Sequence, residues 1–490
     1  MKKIVIIGGG IAGLSAGIFA QKNGFQSIIF EKNKTMGGEC TGWNRKGYHI
    51  DNCIHWLTGS RKGKLNELWR EVGALSDDIE IFYAEKFYTT EYQGVQVSIY
   101  KDIERTEREL TQISPQDEAE IKAMCNAIKL VQKVDMPTEK PMEDMNPLDF
   151  IRLMKSMGAS GKIMMKYAKI SVEDYANRFK HPAIRQFILD SLPTNYYALA
   201  YIYSVATFCS ENGGIPEGGS VKLVERMVDQ YIALGGKIKT GYTAEKANIQ
   251  GKRVLGVKFE NGEVISGDAY IFAMDSKIAF SKLIGEQYMD KTFRVWYENP
   301  KTYPVISTVN ISFGVFDKCL NFPERLFFNC KEYKVGHSVI KRMNIKNYNY
   351  EEFAPKGRAV LQSSFVQLEE DYKFWKELYK DREQYQAEKM RIAQDTIERL
   401  ENRFPELKGK IELLDVVTPV SYERWCGAYK GAYMSFAATK EGKQMQSTGK
   451  IKGLDNIVLA SQWLRPIGGL STAVVEGKFA VMRLMKHGKF

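Results

Sequence analysis

Three glycines and one acid carry the clearest chemistry in this chain. Gly8, Gly10 and Gly13 follow a Gly-x-Gly-x-x-Gly spacing, and Glu31 stands about 20 residues further on. Gly8 permits a tight turn, Gly10 lets backbone approach a pyrophosphate, and Gly13 lets a helix pack close on a strand. Phosphates would sit on free N–H groups at the helix N-terminus, which Ile11 and Ala12 supply. A carboxylate at Glu31, with Lys32 beside it, can accept from both ribose hydroxyls of an adenosine. A 2′-phosphate there would meet negative charge. The pattern therefore predicts a dinucleotide with a free ribose. Elsewhere, His55, Arg465 and Tyr429 are the candidate catalytic side chains, with Trp463 a further candidate lining residue. His55 either packs beside the cofactor and bonds backbone, or donates a proton. No paired carboxylates, metal-ligand cluster or Ser/His/Asp arrangement stands out, so no metal is expected.

These residues need elements to hold them. Ile4-Val5-Ile6-Ile7 is a short β-branched run without charge, which reads as a buried parallel strand. Leu14 to Asn23 is compatible with a helix that Gly24 ends. Ser27 to Phe30 reads as a second buried strand leading to Glu31. Strand, glycine loop, helix, strand and acid together make a much stronger signal than the glycines alone.

The chain has 490 residues, 44% of them hydrophobic, so two or three domains are expected. Its net charge of +11 suits either solubility or an anionic membrane surface; no motif supports nucleic acid. Seven cysteines without a Cys-x-x-Cys pair point to reduced thiols and a cytoplasmic setting, either free in solution or peripheral to the inner face of the membrane. The N-terminal apolar run is too short for a signal peptide, and no apolar window is long enough to span a bilayer. Met154, Met157, Ile163, Met164 and Met165 lie among Arg152, Lys155, Lys162, Lys166 and Lys169, a composition suited to an interfacial helix.

Further along, a second glycine pair, Gly37-Gly38, extends the phosphate-binding surface, followed by Thr41. Phe82 to Thr90 and Val95 to Tyr100 read as a hairpin, and residues 102 to 209 as mostly helical. Gly213 to Ser220 is a glycine-rich loop before a helix; it either needs only the glycines' backbone freedom or lies near the cofactor. Lys237 to Asp275 reads as three short strands, with an Asn261-Gly262 turn. Val305 to Val315 and Ala359 to Val366 are strand-like, and Tyr372 to Phe404 is one long polar helical region. Asn456 to Ser461 reads as a buried strand and Thr472 to Lys486 as a terminal helix.

With the glycine loop, Glu31, the Gly37-Gly38 pair and then Gly47, Tyr48, Asp51 and His55, the chain resembles the flavin-dependent phytoene (carotenoid) desaturases and retinol saturases of the amine-oxidase-like superfamily. It departs from the family's pattern at Cys53, where glycine is usual. The resemblance continues at Thr418-Pro419, at Gly427 to Gly431 and at Gly468-Gly469. It implies an α/β fold: a Rossmann-like FAD-binding domain of the GR2 type, with a discontinuous α+β substrate domain. The implied division gives residues 1–80, 213–285 and 411–490 to the FAD-binding domain, and 81–212 and 286–410 to the substrate domain.

The implied cofactor is FAD. Gly8, Gly10, Ile11, Ala12, Gly13, Glu31, Lys32, Gly37, Gly38 and Thr41 would hold it, with Ala244 at the adenine and Ser461, Gly469, Leu470 and Ser471 at the flavin. The implied reaction is hydride transfer between the flavin and a C–C bond of a hydrophobic isoprenoid- or polyene-like substrate. The direction, desaturation or saturation, stays open, and so does the separate electron donor or acceptor. Two other readings share the fold: a flavin amine oxidase, and a non-catalytic prenyl-binding protein like the GDP-dissociation inhibitors. The intact Gly8, Gly10, Gly13 and Glu31 set weighs against the second.

Overall fold

In the computed structural model, which describes residues 1–443 and 445–488, two sheets organise the chain. The first is a five-stranded parallel sheet in the order Lys237–Thr240, Gln26–Glu31, Lys3–Ile7, Ala269–Phe272, Ile457–Leu459. Its central strand, Lys3–Ile7, pairs with Gln26–Glu31 on one side and Ala269–Phe272 on the other. Ile4, Val5 and Ile6 are fully buried, which is why an uninterrupted apolar run suits this position. Segments from the beginning, middle and end of the chain thus meet in one sheet.

Two helices pack against it and against each other, Ile11–Lys22 and Leu470–His487. Their contact is backbone-close: a Cβ on Gly477 would lie 2.4 Å from the carbonyl oxygen of Ala12. Ser15 adds a hydrogen bond, its hydroxyl donating to the Val474 carbonyl at 2.7 Å. The last helix is thereby fixed on the helix that follows the glycine loop.

The second sheet has seven strands, in the order Glu412–Val417, Ser307–Phe316, Arg358–Gln367, Ser338–Tyr348, Arg325–Val335, Lys86–Tyr92, Val95–Tyr100. Pairing is antiparallel except between Arg325–Val335 and Lys86–Tyr92. The helices Ile103–Ile113, Glu118–Val131, Pro147–Tyr167, Val172–Ala176, Pro182–Leu189 and Ala198–Cys209 form the block beside it.

Several elements differ from expectation. Five strands, not three, lie between Lys237 and Asp275: two join the parallel sheet and three form an antiparallel sheet turning at Asn261-Gly262. The Arg325–Val335 and Ser338–Tyr348 hairpin is new; its outward charges hide the strand alternation. Tyr372 to Phe404 splits into Glu369–Leu378 and Arg382–Arg403, because Asp381 caps the second helix by accepting from the Glu383 and Gln384 N–H groups. Gly213–Pro216 is itself a strand, lying between Leu57–Thr58 and Ile81–Phe82, so Phe82 is outside the expected hairpin. Glu412–Val417, placed by the implied division with the cofactor-binding part, is an edge strand of the seven-stranded sheet.

Candidate active site

One cavity of about 2290 Å³ runs from the glycine loop to the helical block. That is more than twice the ~1,000 Å³ upper end of ordinary small-molecule pockets, room for a large cofactor and a second ligand.

At one end lie Gly8, Gly10, Ile11 and Ala12. Gly13 is not on the wall; a Cβ there would stand 1.9 Å from the Gly8 carbonyl oxygen, so its part is the close helix–strand approach. The Gly37-Gly38 pair returns to the same loop: Gly37 N–H donates to the Gly9 carbonyl at 2.8 Å. Glu31 is buried, and its two carboxylate oxygens accept from Gly9 N–H at 2.8 Å and Asn33 N–H at 2.9 Å. Each oxygen keeps a lone pair for a ribose hydroxyl. Ala244 is on the wall beside it, since Tyr242 N–H donates to the Glu31 carbonyl. Lys32 lines the cavity and donates to the Arg424 carbonyl at 3.1 Å; burial lowers its pKa. Trp425 Nε1 donates to the Gly38 carbonyl at 3.0 Å, so the end of the helix Pro419–Cys426 clamps this loop.

The C-terminal residues close the middle of the cavity. Ser461, Gly469, Leu470 and Ser471 all line it, with Gly469 at the N-terminus of the last helix. Gly469 N–H donates to Gln462 Oε1 at 2.8 Å, and Gln462 Nε2 donates to Glu39 Oε2 at 2.7 Å. Burial pushes the Glu39 carboxyl up to about 8. Sequence reasoning missed Glu39 and Gln462; an acid directly after a glycine pair was the available signal.

The candidate catalytic residues also face this space. Arg465 is held by Glu476, its Nε donating to Oε1 at 2.8 Å. Tyr429 donates its backbone N–H to Asp275, whose carboxyl burial raises to about 6, and its ring meets Trp463 edge-on. His55 is open to the cavity, its Nδ1 3.4 Å from the Tyr348 hydroxyl. Burial, with Lys346 and Arg325 nearby, holds its pKa well below the ordinary value, so the imidazole is neutral.

Thr41 lies apart from the other expected cofactor residues. It does not line the cavity; its carbonyl accepts from Asn52 N–H at 3.1 Å as the chain turns into the hairpin Gly42–Arg45 and Tyr48–Asp51. The Gly218-Gly219 pair is off the cavity as well. Gly219 (φ +56) comes so close to Asp51 that a Cβ would lie 2.2 Å from its carboxylate. Asp51 accepts there from Ser220 N–H and from Cys53 and Ile54 N–H groups. The glycines let Asp51 latch the stretch that carries His55.

A glycine cradle, a helix N-terminus and a carboxylate with free lone pairs fit a dinucleotide.

Comparison with known proteins agrees with this geometry. Residues 6–72 match the NAD(P)-binding Rossmann-like domain family. The chain is 25% identical over 293 residues to a phytoene desaturase (lycopene-forming) of Pseudescherichia vulneris, a match spanning 58% of each chain. It is 24% identical over 509 residues to a 4,4'-diapolycopen-4-al dehydrogenase of Metabacillus indicus, covering 99% of this chain and 97% of that one. Among solved structures, putrescine oxidase with bound putrescine aligns with a TM-score of 0.61 at 14% identity, covering 99% of both chains. An oxidoreductase from Methanosarcina mazei aligns at 0.60 and 17%, covering 98% of this chain and all of that one. The chain shares its fold with these two proteins. In sequence, the chain is similar to phytoene and diapophytoene desaturases.

Proposed function

We propose that this protein is an FAD-dependent oxidoreductase acting on a C–C bond of a hydrophobic, isoprenoid- or polyene-like substrate. The carrying observation is the single cavity that joins the glycine cradle to an apolar chamber lined by Leu153, Met157, Met164, Leu189, Leu199 and Phe327. Bound FAD would supply a hydride acceptor or donor at its N5 atom. Gly8, Gly10, Ile11 and Ala12 would hold the pyrophosphate, and Glu31 the ribose. The N-terminus of the helix Leu470–His487 would favour negative charge on the flavin ring. The apolar wall would exclude water and align the reacting bond.

The helix Pro147–Tyr167 supports a route for such a substrate. Leu153, Met157 and Met164 reach the cavity, while Leu148, Phe150, Ile151 and Met154 are exposed beside Arg152 and Lys155. Among the described residues no helix is long and apolar enough to cross a membrane. We read this helix as a peripheral contact with an anionic bilayer. An amine substrate fits less well, because its ammonium would meet Arg325 and Lys346 near His55.

The deciding experiment is anaerobic reduction of the bound flavin, followed by reoxidation with polyenes, enones and retinoids. Reoxidation by a polyene or enone, with loss of its double bond, is expected. A colourless protein that FAD does not reconstitute would overturn the reading.

A further inference from the structure

The apolar chamber contains a cation that a plain hydrocarbon would not need. Arg325 begins the strand Arg325–Val335 and lines the cavity. Among the described residues, no hydrogen bond or ion pair engages its guanidinium; its recorded contact is the Phe327 ring, 5.4 Å away. The other arginines on the wall differ. Arg342 is held by both oxygens of Asp190, and Arg465 by Glu476.

The surroundings of Arg325 do not neutralise it. Lys346 is close by, donating to the His55 carbonyl at 3.2 Å. Tyr88, Tyr348 and Tyr433 contribute hydroxyls. The neighbouring carboxyl, Glu324, accepts from the Tyr350 hydroxyl, and burial raises its pKa, which weakens it as a counter-ion. Burial also lowers the pKa of Arg325 and brings Lys346 to about 8. Arg325 is half-buried on the cavity wall; a cation there without a partner is costly, and a guanidinium matches the two oxygens of a carboxylate.

We propose that the substrate is an apolar chain ending in a carboxylate, and that Arg325 binds this end group. The proposal rests on the hydrophobic, polyene-like substrate argued above and narrows it. The apolar chain lies along Leu189, Leu199 and Phe327, with the carboxylate on the His55 side. Arg325 thus sets which end of the substrate enters first and, with it, which bond reaches the cofactor.

The test uses the full chain saturated with FAD and the fluorescence of cis-parinaric acid, a conjugated tetraene acid, beside its methyl ester. The acid is expected to bind about tenfold or more tightly than the ester, the scale of a hydrogen bond to a charged group. Arg325→Gln should remove that preference by weakening the acid and leave the ester unchanged; Arg325→Lys should keep part of it. Equal affinity for acid and ester in the wild type, binding of neither, or a preference that survives in R325Q would overturn the proposal. If R325Q does not fold, the acid–ester comparison in the wild type and in R325K decides. The readout is occupancy, not turnover. Failure of the flavin to reoxidise would therefore count against the proposed function and not against this site.

Discussion

Gln462 joins Glu39 to Gly469: its Nε2 donates to the Glu39 carboxyl at 2.7 Å, and its Oε1 accepts from Gly469 N–H at 2.8 Å. A loop near the start of the chain is thereby tied to the first turn of the last helix. Burial raises the Glu39 pKa from 4.5 to about 8, so the folded protein holds this carboxyl protonated while the unfolded chain ionises it. The stability it contributes is present below pH 4.5 and lost as pH rises towards 8. Thermal melts of the FAD-free protein should therefore fall in Tm across that window. Glu39→Gln, which keeps the shape and cannot ionise, should flatten the fall; an unchanged slope in the variant would sink the assignment.

Arg465 depends on a second buried group. Glu476 is fully buried and holds both Arg465 and Arg483, and Arg483 reaches Glu143. Glu476→Gln leaves Arg465 without its counter-charge and Arg483 with Glu143 alone. Breaking such a pair costs about 3–5 kcal/mol, so a clear drop in denaturant midpoint is expected, with weaker flavin retention. A midpoint matching the wild type would show that the network is not needed to position Arg465.

What could be read from sequence was local. Ile4 to Ile7, the three glycines and Glu31 lie within one strand–helix–strand unit, and each has a backbone reason that needs no distant partner. Arg325 carries no such signal. It matters because strand order brings residue 325 beside residue 55, and the charges at Lys331, Glu332 and Lys334 break up its strand's apolar pattern. Thr41 lies off the cavity wall for the opposite reason. The glycine pair before it does reach the cavity, but the chain turns outward at Gly42, and sequence nearness to a binding loop did not carry one more residue onto the wall.

The closest approach between the two packed helices gives a third expectation. A methyl on Gly477 would strike the Ala12 carbonyl oxygen, and the helices must part to admit it. Gly477→Ala should destabilise by about 1–3 kcal/mol, the range for overpacking, and lower FAD occupancy because Ala12 lines the cradle. Gly161→Ala is the control: its nearest neighbour is the Met157 side chain at 3.4 Å. Equal effects from both variants would argue against a tight helix contact.

Peripheral membrane contact rests on the exposed side chains Leu148, Phe150, Ile151 and Met154 with their basic neighbours. Vesicles with anionic lipid should carry the protein to the top of a flotation gradient, and neutral vesicles should carry less. Serine at Phe150, Ile151 and Met154 together should leave it at the bottom without lowering Tm, since these side chains face outward. Flotation that is indifferent to both lipid charge and these substitutions would end the idea.

His55 was the side chain with two open roles, and its surroundings favour one. Burial opposes a positive charge on the imidazole, Lys346 and Arg325 oppose it further, and the pKa lies well below 6.5. A group whose pKa is held well below the ordinary value does not titrate near pH 6.5. Flavin reoxidation by a polyene should therefore show no inflection near pH 6.5 that His55→Gln removes. The same substitution keeps a hydrogen-bonding group near Tyr348, so flavin binding should persist and the rate should fall only severalfold. A loss of a hundredfold or more in H55Q with flavin content unchanged, together with loss of an acidic limb in the pH–rate profile, would instead make His55 a proton donor.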